Sequence, residues 1–333
     1  MDLKSRINAF VRLGVCFPEF KNIYKKKIEE AELLNPWFTY NSICNVFLSW
    51  SRVLSSTSLN NWLSSYKINE GKCIKNILVI GAGNIPLVSF HDCLSVLLSG
   101  HHLMLKVSEK DNILPFLVLN HLLKIEPKFK DKISFIDKIS MKGFDAVIAT
   151  GSSNTFNYFQ YYFRDSKYIL RSNRSSIAIL DGSESQDQLR ALCEDVFLYF
   201  GLGCRSISLL FLPLGYDLDK LFAVFFEYKY LLSHAKYMRN YDYYKAISTL
   251  NNINILENGF LLMKNEQSLD SPVSMLHYSF YNIYSDVEIF IEENKCNIQS
   301  IVSNNHIPFG QSQYPQLSDY ADGVDTVSFL CNI

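Results

Sequence analysis

The stretch Tyr199-Phe200-Gly201-Leu202-Gly203-Cys204-Arg205-Ser206-Ile207-Ser208 joins two elements of different kinds. Upstream, apolar residues at Leu189, Leu192, Cys193, Val196, Phe197 and Phe200 recur at helical spacing. Ser185 with Gln188 three residues on makes a capping-box start, and Gly201 and Gly203 are the expected stop. Downstream, Ile207-Ser208-Leu209-Leu210-Phe211-Leu212-Pro213 is a short apolar run of the kind that forms a buried strand. A helix handing over to a buried strand through a glycine-rich joint is what an α/β fold requires, and a thiol in that joint can be reached by a substrate. Most cysteines outside disulfides are small core residues. The joint, and the cation Arg205 that favours thiolate, make Cys204 instead the candidate nucleophile.

Working outward, strand and helix signals alternate from about residue 74. Strands are expected at 74–80, 103–107, 133–136, 145–149, 176–180 and 207–212, with helices such as 87–98 and 113–123 between most of them. Such alternation implies a parallel sheet with helices on both faces. Residues 1–70 read as helices, for example through Ile7, Phe10, Val11 and Leu13, or Ile43, Val46, Phe47 and Trp50. Beyond 215 the signals are aromatic-rich and mixed, then strand-like at 273–280 and 298–302. The terminal Thr326-Val327-Ser328-Phe329-Leu330 reads as a strand that could pair with its own sheet or a partner's. A domain change is placed near 170–182, where the regular alternation ends.

A chain of 333 residues suggests about two domains, and 48% hydrophobic with 20% charged residues describes a well-packed globular protein. A net charge of −1 gives no electrostatic footprint for nucleic acid. The basic run Lys25-Lys26-Lys27 is followed by Ile28 and Glu29-Glu30, which reads as a solvated helix face. The eight cysteines include no pair closer than Cys193 and Cys204, so no CxxC metal or redox pair exists and no metal site is expected. The first residues lack the apolar core of a signal peptide, and reduced thiols in a cytoplasmic protein are the simplest account. The apolar stretch 77–100 is interrupted by Gly81, Gly83, Pro86, His91 and Asp92, so it reads as a buried strand–turn–helix unit and no transmembrane segment is expected.

Three loops at expected strand ends carry candidate site residues. Gly81-Ala82-Gly83-Asn84-Ile85-Pro86 follows a strand and opens a helix, but Pro86 replaces the third glycine of a dinucleotide fingerprint. Asn84 on this turn either donates its amide to a developing oxyanion or simply fits the turn geometry. Lys106-Val107-Ser108-Glu109 ends a second strand, where α/β folds bind nucleotides. Thr150-Gly151-Ser152-Ser153 ends a third and precedes a helix whose N-terminal amides suit a pyrophosphate. Each of these could equally be an ordinary loop.

Read in order, these segments resemble the aldehyde dehydrogenase superfamily, whose Trp-Asn-Phe-Pro segment, lysine-x-x-glutamate strand end and Thr-Gly-Ser turn precede a glycine-flanked catalytic cysteine. Within it the sequence is most similar to the acyl-CoA reductases of the LuxC type. That resemblance rests on Asn35-Pro36-Trp37-Phe38-Thr39, on residues 199–208, and on Pro308-Phe309-Gly310-Gln311-Ser312-Gln313 with Asp319-Tyr320-Ala321-Asp322-Gly323-Val324-Asp325-Thr326. It extends over nearly the whole chain.

The resemblance implies an aldehyde-dehydrogenase-like α/β fold. Its parts would be a helical N-terminal segment (1–70), a Rossmann-type nicotinamide-cofactor domain (71–172), an α/β catalytic domain (173–310) and a C-terminal tail strand (311–333). It implies reduction of a long-chain fatty acyl-CoA or acyl-protein thioester to the aldehyde through an S-acyl intermediate on Cys204, with Asn84 at the oxyanion. Lys106, Ser108, Glu109, Gly151 and Ser152 would hold the cofactor. NADPH is expected and NADH is the alternative, because Lys106 would attract a 2′-phosphate and Glu109 repel it. The partners implied are fatty acyl-CoA or an acylated carrier or synthetase protein, and a homo-oligomer is compatible with it. Hydrolytic members carry a glutamate in Glu-Leu-Gly-Gly, and here residues 170–174 (Leu-Arg-Ser-Asn-Arg) hold no carboxylate. A second glutamate of the superfamily would fall near Ser268, in the segment that ends Asp270-Ser271-Pro272-Val273, which puts its ribose contact in doubt. An oxidative aldehyde or semialdehyde dehydrogenase, or a non-reducing S-acyl carrier, are the rival readings.

Overall fold

Runs of β-branched and aliphatic residues buried on both faces pair in parallel, as strands covered by helices do. The computed structural model describes residues 1–68, 73–139, 143–151 and 153–333. It divides into two compact units, residues 1–173 with 316–333, and residues 174–315.

The first unit holds a five-stranded parallel sheet of β1 (Asn76–Ile80), β2 (His102–Lys106), β3 (Ile133–Phe135), β4 (Ala146–Thr150) and β5 (Lys167–Arg171), in the order β3-β2-β1-β4-β5. Strand order reverses between β1 and β4, which sit side by side with Ile80 opposite Ala149. Helices Leu3–Cys16, Lys25–Leu34, Tyr40–Val53 and Ser56–Leu63 precede the sheet, the first capped by Asp2 and the last two by Thr39 and Ser55. An aromatic cluster packs them on the sheet's helices: Phe17 stacks on Phe47 with centroids 5.5 Å apart, and Phe10 meets Phe129 edge-on at 5.8 Å. Strand β5 is an element that period and composition did not single out, because its residues read as the end of the alternation.

The second unit holds six strands, β6 (Ser175–Ile179), β7 (Ile207–Pro213), β8 (Leu256–Glu257), β9 (Leu262–Asn265), β10 (Met275–Tyr281) and β11 (Ile298–Val302). Their order is β11-β6-β7-β10-β9-β8, parallel except for β8 against β9. Leu209, Leu210, Phe211 and Leu212 of β7 are all buried in its centre.

The tail expected as a strand is a helix, Thr326–Cys331. Its β-branched residues favour a strand, but the buried residues Val327 and Leu330 lie three apart, as on one helix face. Asp325 caps it by accepting Ser328 N–H at 2.8 Å. The tail belongs to the first unit, where Trp62 Nε1 donates to Tyr320 Oη at 2.8 Å and Tyr66 Oη to Asp325 Oδ2 at 2.8 Å. Among the described residues no helix is long and apolar enough to cross a membrane.

Candidate functional site

In the first unit the candidate residues lie along the carboxyl edge of the sheet. β1 runs into Gly81, whose N–H donates to Lys106 O at the end of β2 (2.9 Å). Gly83 is buried so closely against the next loop that a Cβ there would meet Lys110 Cβ at 2.6 Å and Ser108 Oγ at 2.7 Å. Ser108 Oγ accepts Lys110 N–H at 3.2 Å and starts the turn Glu109–Asp111, while Lys106 Nζ donates to Val107 O at 3.2 Å. Asn84 is exposed, and no described residue hydrogen-bonds its side chain. At the end of β4, Gly151 N–H donates to Arg171 O (3.2 Å), and a Cβ on Gly151 would meet Thr155 Cβ at 2.8 Å. Ser152 lies outside the described residues. Gly81, Asn84, Lys106, Ser108 and Gly151 thus share the edge at which strand order reverses, the crevice where open α/β sheets bind ligands.

One residue behind this edge was not expected from sequence. Asp111 is buried, its Oδ2 accepts Leu87 N–H at 2.8 Å, and burial pushes its carboxyl up to about 7. Leu87 adopts φ +56, a left-handed conformation that a leucine rarely takes, and this hydrogen bond helps to hold it. At the end of β5, Arg171 is buried in an ion pair with Asp92 and donates to Thr326 Oγ1 at 2.8 Å. The stretch 170–174 therefore presents a buried cation, Arg171, and no carboxylate.

In the second unit, the capping box on Ser185 and Gln188 opens the helix Gln186–Phe197 as expected. The helix ends before the glycines, because Tyr199 (φ 57°) and Phe200 (φ 60°) already stand in the left-handed region together with Gly201. Such backbone in bulky residues costs on the order of 1–3 kcal/mol each and persists only where the surroundings enforce it. Both rings are buried, Phe200 packing on His234 with centroids 4.3 Å apart. The chain then turns sharply, Ser206 N–H donating to Gly203 O at 2.9 Å, with Cys204 and Arg205 at the two inner positions. Cys204 is half-buried at the amino end of β7.

The turn is fastened from β6. Ser176 is fully buried, and its hydroxyl donates to Cys204 O at 2.9 Å. That uses its single proton, so in the 2.6 Å contact with Ser300 Oγ the donor is Ser300. Both neighbours of β6 are irregular beside Ser176, β7 at Ser208 and β11 between Ile298 and Ile301. Bulges of this kind re-aim side chains near active sites. Sequence reading missed Ser176 and Ser300, since a serine at a strand start carries no signal of its own. Near Ser268, His277 Nδ1 donates to Ser268 O at 2.9 Å, and the nearby Glu266 is engaged by Lys264, which lowers its pKa. By contrast, burial pushes the Cys193 thiol up to about 12, which makes it inert.

The chain has an aldehyde-dehydrogenase-like fold, with the strand order of dinucleotide-binding sheets in its first unit and a thiol in a tight turn at the start of a central strand in its second. The chain is similar to the AldA indole-3-acetaldehyde dehydrogenase of P. syringae, solved with NAD+ and IAA, at 10% identity and a TM-score of 0.65 over 91% of this chain and 72% of that one. It is similar to aldehyde dehydrogenase 21 of Physcomitrella patens, solved with the reaction product succinate, at 11% identity and a TM-score of 0.66 over 92% and 74%. The NAD+ complex of a Bacillus cereus aldehyde dehydrogenase matches at 14% identity and a TM-score of 0.62 over 91% and 72%. No curated protein matches the chain. The model of the acyl-CoA reductase (LuxC) family matches residues 34–220, more than half of the sequence. The chain belongs to that family.

Proposed function

We propose that this protein reduces a fatty acyl thioester to the aldehyde with a nicotinamide cofactor, through an S-acyl intermediate on Cys204. The observation that carries the reading is the tight turn that presents Cys204, in a member of an acyl-CoA reductase family. As thiolate, Cys204 attacks the acyl carbonyl and its own N–H stabilises the oxyanion, a role that the family resemblance also gives to the Asn84 amide. The sulfur–carbon bond forms, the tetrahedral centre collapses, and the carrier leaves as a thiol. Phe197, Phe200, Ile207 and Tyr237, with Ser208, Ser271 and Ser274, line a water-sized space of about 30 Å³ beside the turn, with both apolar and polar walls.

The edge at β1, β2 and β4 fits a nicotinamide dinucleotide, because Gly83 and Gly151 keep their backbones where a Cβ would collide. Lys106, Ser108 and Glu109 would hold its adenosine ribose, and Gly151 with Ser152 its pyrophosphate. When bound, the cofactor would supply the hydride to the thioester carbonyl, and the aldehyde is released as the bond to sulfur breaks and Cys204 leaves as thiolate. Lys106 favours NADPH, with NADH the alternative. The acyl donor is a fatty acyl-CoA or an acylated carrier or synthetase protein, and the setting is cytoplasmic.

The test is purified protein with a panel of acyl-CoAs and either NADPH or NADH, scored for cofactor oxidation and aldehyde. In parallel, labelled acyl-CoA should mark wild type and Cys193→Ala but not Cys204→Ala. Equal labelling of Cys204→Ala would end the proposed mechanism. Labelling without any cofactor oxidation would point to the carrier reading.

A further inference from the structure

The stretch Pro308-Phe309-Gly310-Gln311-Ser312-Gln313 takes no part in the chemistry above, yet it is bound tightly to the helix that leads to the nucleophile. Gly310 has φ +81, and a Cβ there would meet Ala191 Cβ at 2.9 Å, so the chain crosses the helix Gln186–Phe197 at backbone contact. One turn further along that helix, Asp195 is completely buried. Its Oδ2 accepts Gly310 N–H at 2.6 Å, and its Oδ1 accepts Ser312 N–H at 2.9 Å and Ser312 O–H at 2.7 Å. A buried carboxylate is costly unless its lone pairs are filled, and here three donors fill them. Asp195 thereby fixes the 310–312 backbone against the helix.

The next residue reaches the turn. Gln313 is buried, and its Nε2 donates to Ser206 Oγ at 3.1 Å and to Asp195 O at 3.4 Å. Ser206 is the residue that closes the turn around Cys204. The two protons of one amide therefore join the end of the helix to the end of the turn. Between those two anchors lie Tyr199, Phe200 and Gly201 in left-handed conformation, a segment with stored strain that would relax if either anchor were released.

We propose that Gln313 is a positioning residue for Cys204, and that the 308–313 segment is a brace which holds the nucleophile turn against the strained residues before it. The proposal rests on Cys204 being the nucleophile. It predicts that Gln313 acts through Ser206, so that removing either side chain has the same effect as removing both.

The test measures alkylation of Cys204 by iodoacetamide, peptide by peptide, with the exposed Cys73 as an internal reference. It also measures kcat and KM for acyl-CoA in wild type, Gln313→Ala, Ser206→Ala and the double variant. Misplacing a reacting group by about 1 Å can cost about 10²-fold, so the alkylation rate and kcat should fall by about 10- to 10²-fold. Cys73 alkylation and the acyl-CoA KM should hold, while the melting temperature falls by only a few degrees. The double variant should be no slower than the slower single variant, because both remove the same bond. Wild-type alkylation in Gln313→Ala, or single effects that multiply in the double variant, would overturn the proposal. If Gln313→Ala fails to fold, Ser206→Ala decides alone, since a wild-type Cys204 rate in that variant removes the brace. A wild type inactive on acyl-CoA, with slowed alkylation in the variants, would refute the reductase reading and leave the brace standing.

Discussion

The buried carboxyl of Asp111 accepts the backbone N–H of Leu87 at 2.8 Å, joining the loop after β1 to the loop after β2. Leu87 closes the segment that contains Gly83 and Asn84, so this one bond ties two of the three loops at the candidate cofactor edge. In the folded protein Asp111 keeps its proton up to about pH 7, whereas its ordinary value is 3.8. Folding therefore takes up a proton between those values, and stability falls as pH rises through that window and levels off above it. Asp111→Asn should remove this slope while keeping the shape of the side chain. Denaturation of both proteins between pH 4 and 8 checks it, since a tenfold difference in proton affinity between the folded and unfolded chain corresponds to about 1.4 kcal/mol. Parallel curves for the two proteins would show that Asp111 is ionised throughout.

Asn84 is exposed and makes no side-chain hydrogen bond to a described residue. An amide kept available on a turn otherwise fixed by Gly81 and Asp111 suits an oxyanion donor. Asn84→Ala should lower turnover by roughly 10²- to 10³-fold with little change in cofactor affinity. Near-normal turnover would assign the residue to the turn alone.

Arg171 and Asp92 form a buried pair, so removing the acid strands a cation. Asp92→Ala should cost about 3–5 kcal/mol by denaturant titration, while replacing both residues with apolar ones of similar volume should restore much of it. A loss below about 1 kcal/mol would mean that Arg171 is held mainly by contacts other than Asp92.

By the family resemblance, residues 170–174 stand for the stretch from which hydrolytic aldehyde dehydrogenases activate water. With no carboxylate at 170–174, the S-acyl enzyme should persist without NADPH and discharge when NADPH or a free thiol is added. Trapping and counting the intermediate with and without NADPH measures this. Hydrolysis to free fatty acid as fast as reduction would favour a thioesterase or a hydrolytic dehydrogenase.

Much of this was legible from periodicity. The capping box at Ser185, the buried strand from Ile207 and the glycine turn at Gly81 are local patterns, and the structure forms them where the sequence predicts them. The tail differs because Thr326 and Val327 favour strands, while the decisive facts, the Asp325 cap and the bond from Arg171, involve geometry and a partner far away in sequence. The left-handed pair Tyr199 and Phe200 could not be inferred either, since aromatic residues are poor candidates for that conformation and only their packing enforces it. Ser176, Ser300 and Asp111 share a further difficulty. Their roles come from what β-sheet register and burial bring beside them, and an isolated serine or aspartate does not encode that.

The first unit is assembled from both ends of the sequence, with Arg171 bonded to a threonine 155 residues later. A ribosome therefore adds residues 316–333 only after every residue of the second unit has been translated. Domains usually mature in the order of translation. Here the order is inverted: the thiol-bearing unit is the first whose residues are all present, while the sheet β1–β5 still lacks the Thr326 helix that its Arg171 bonds.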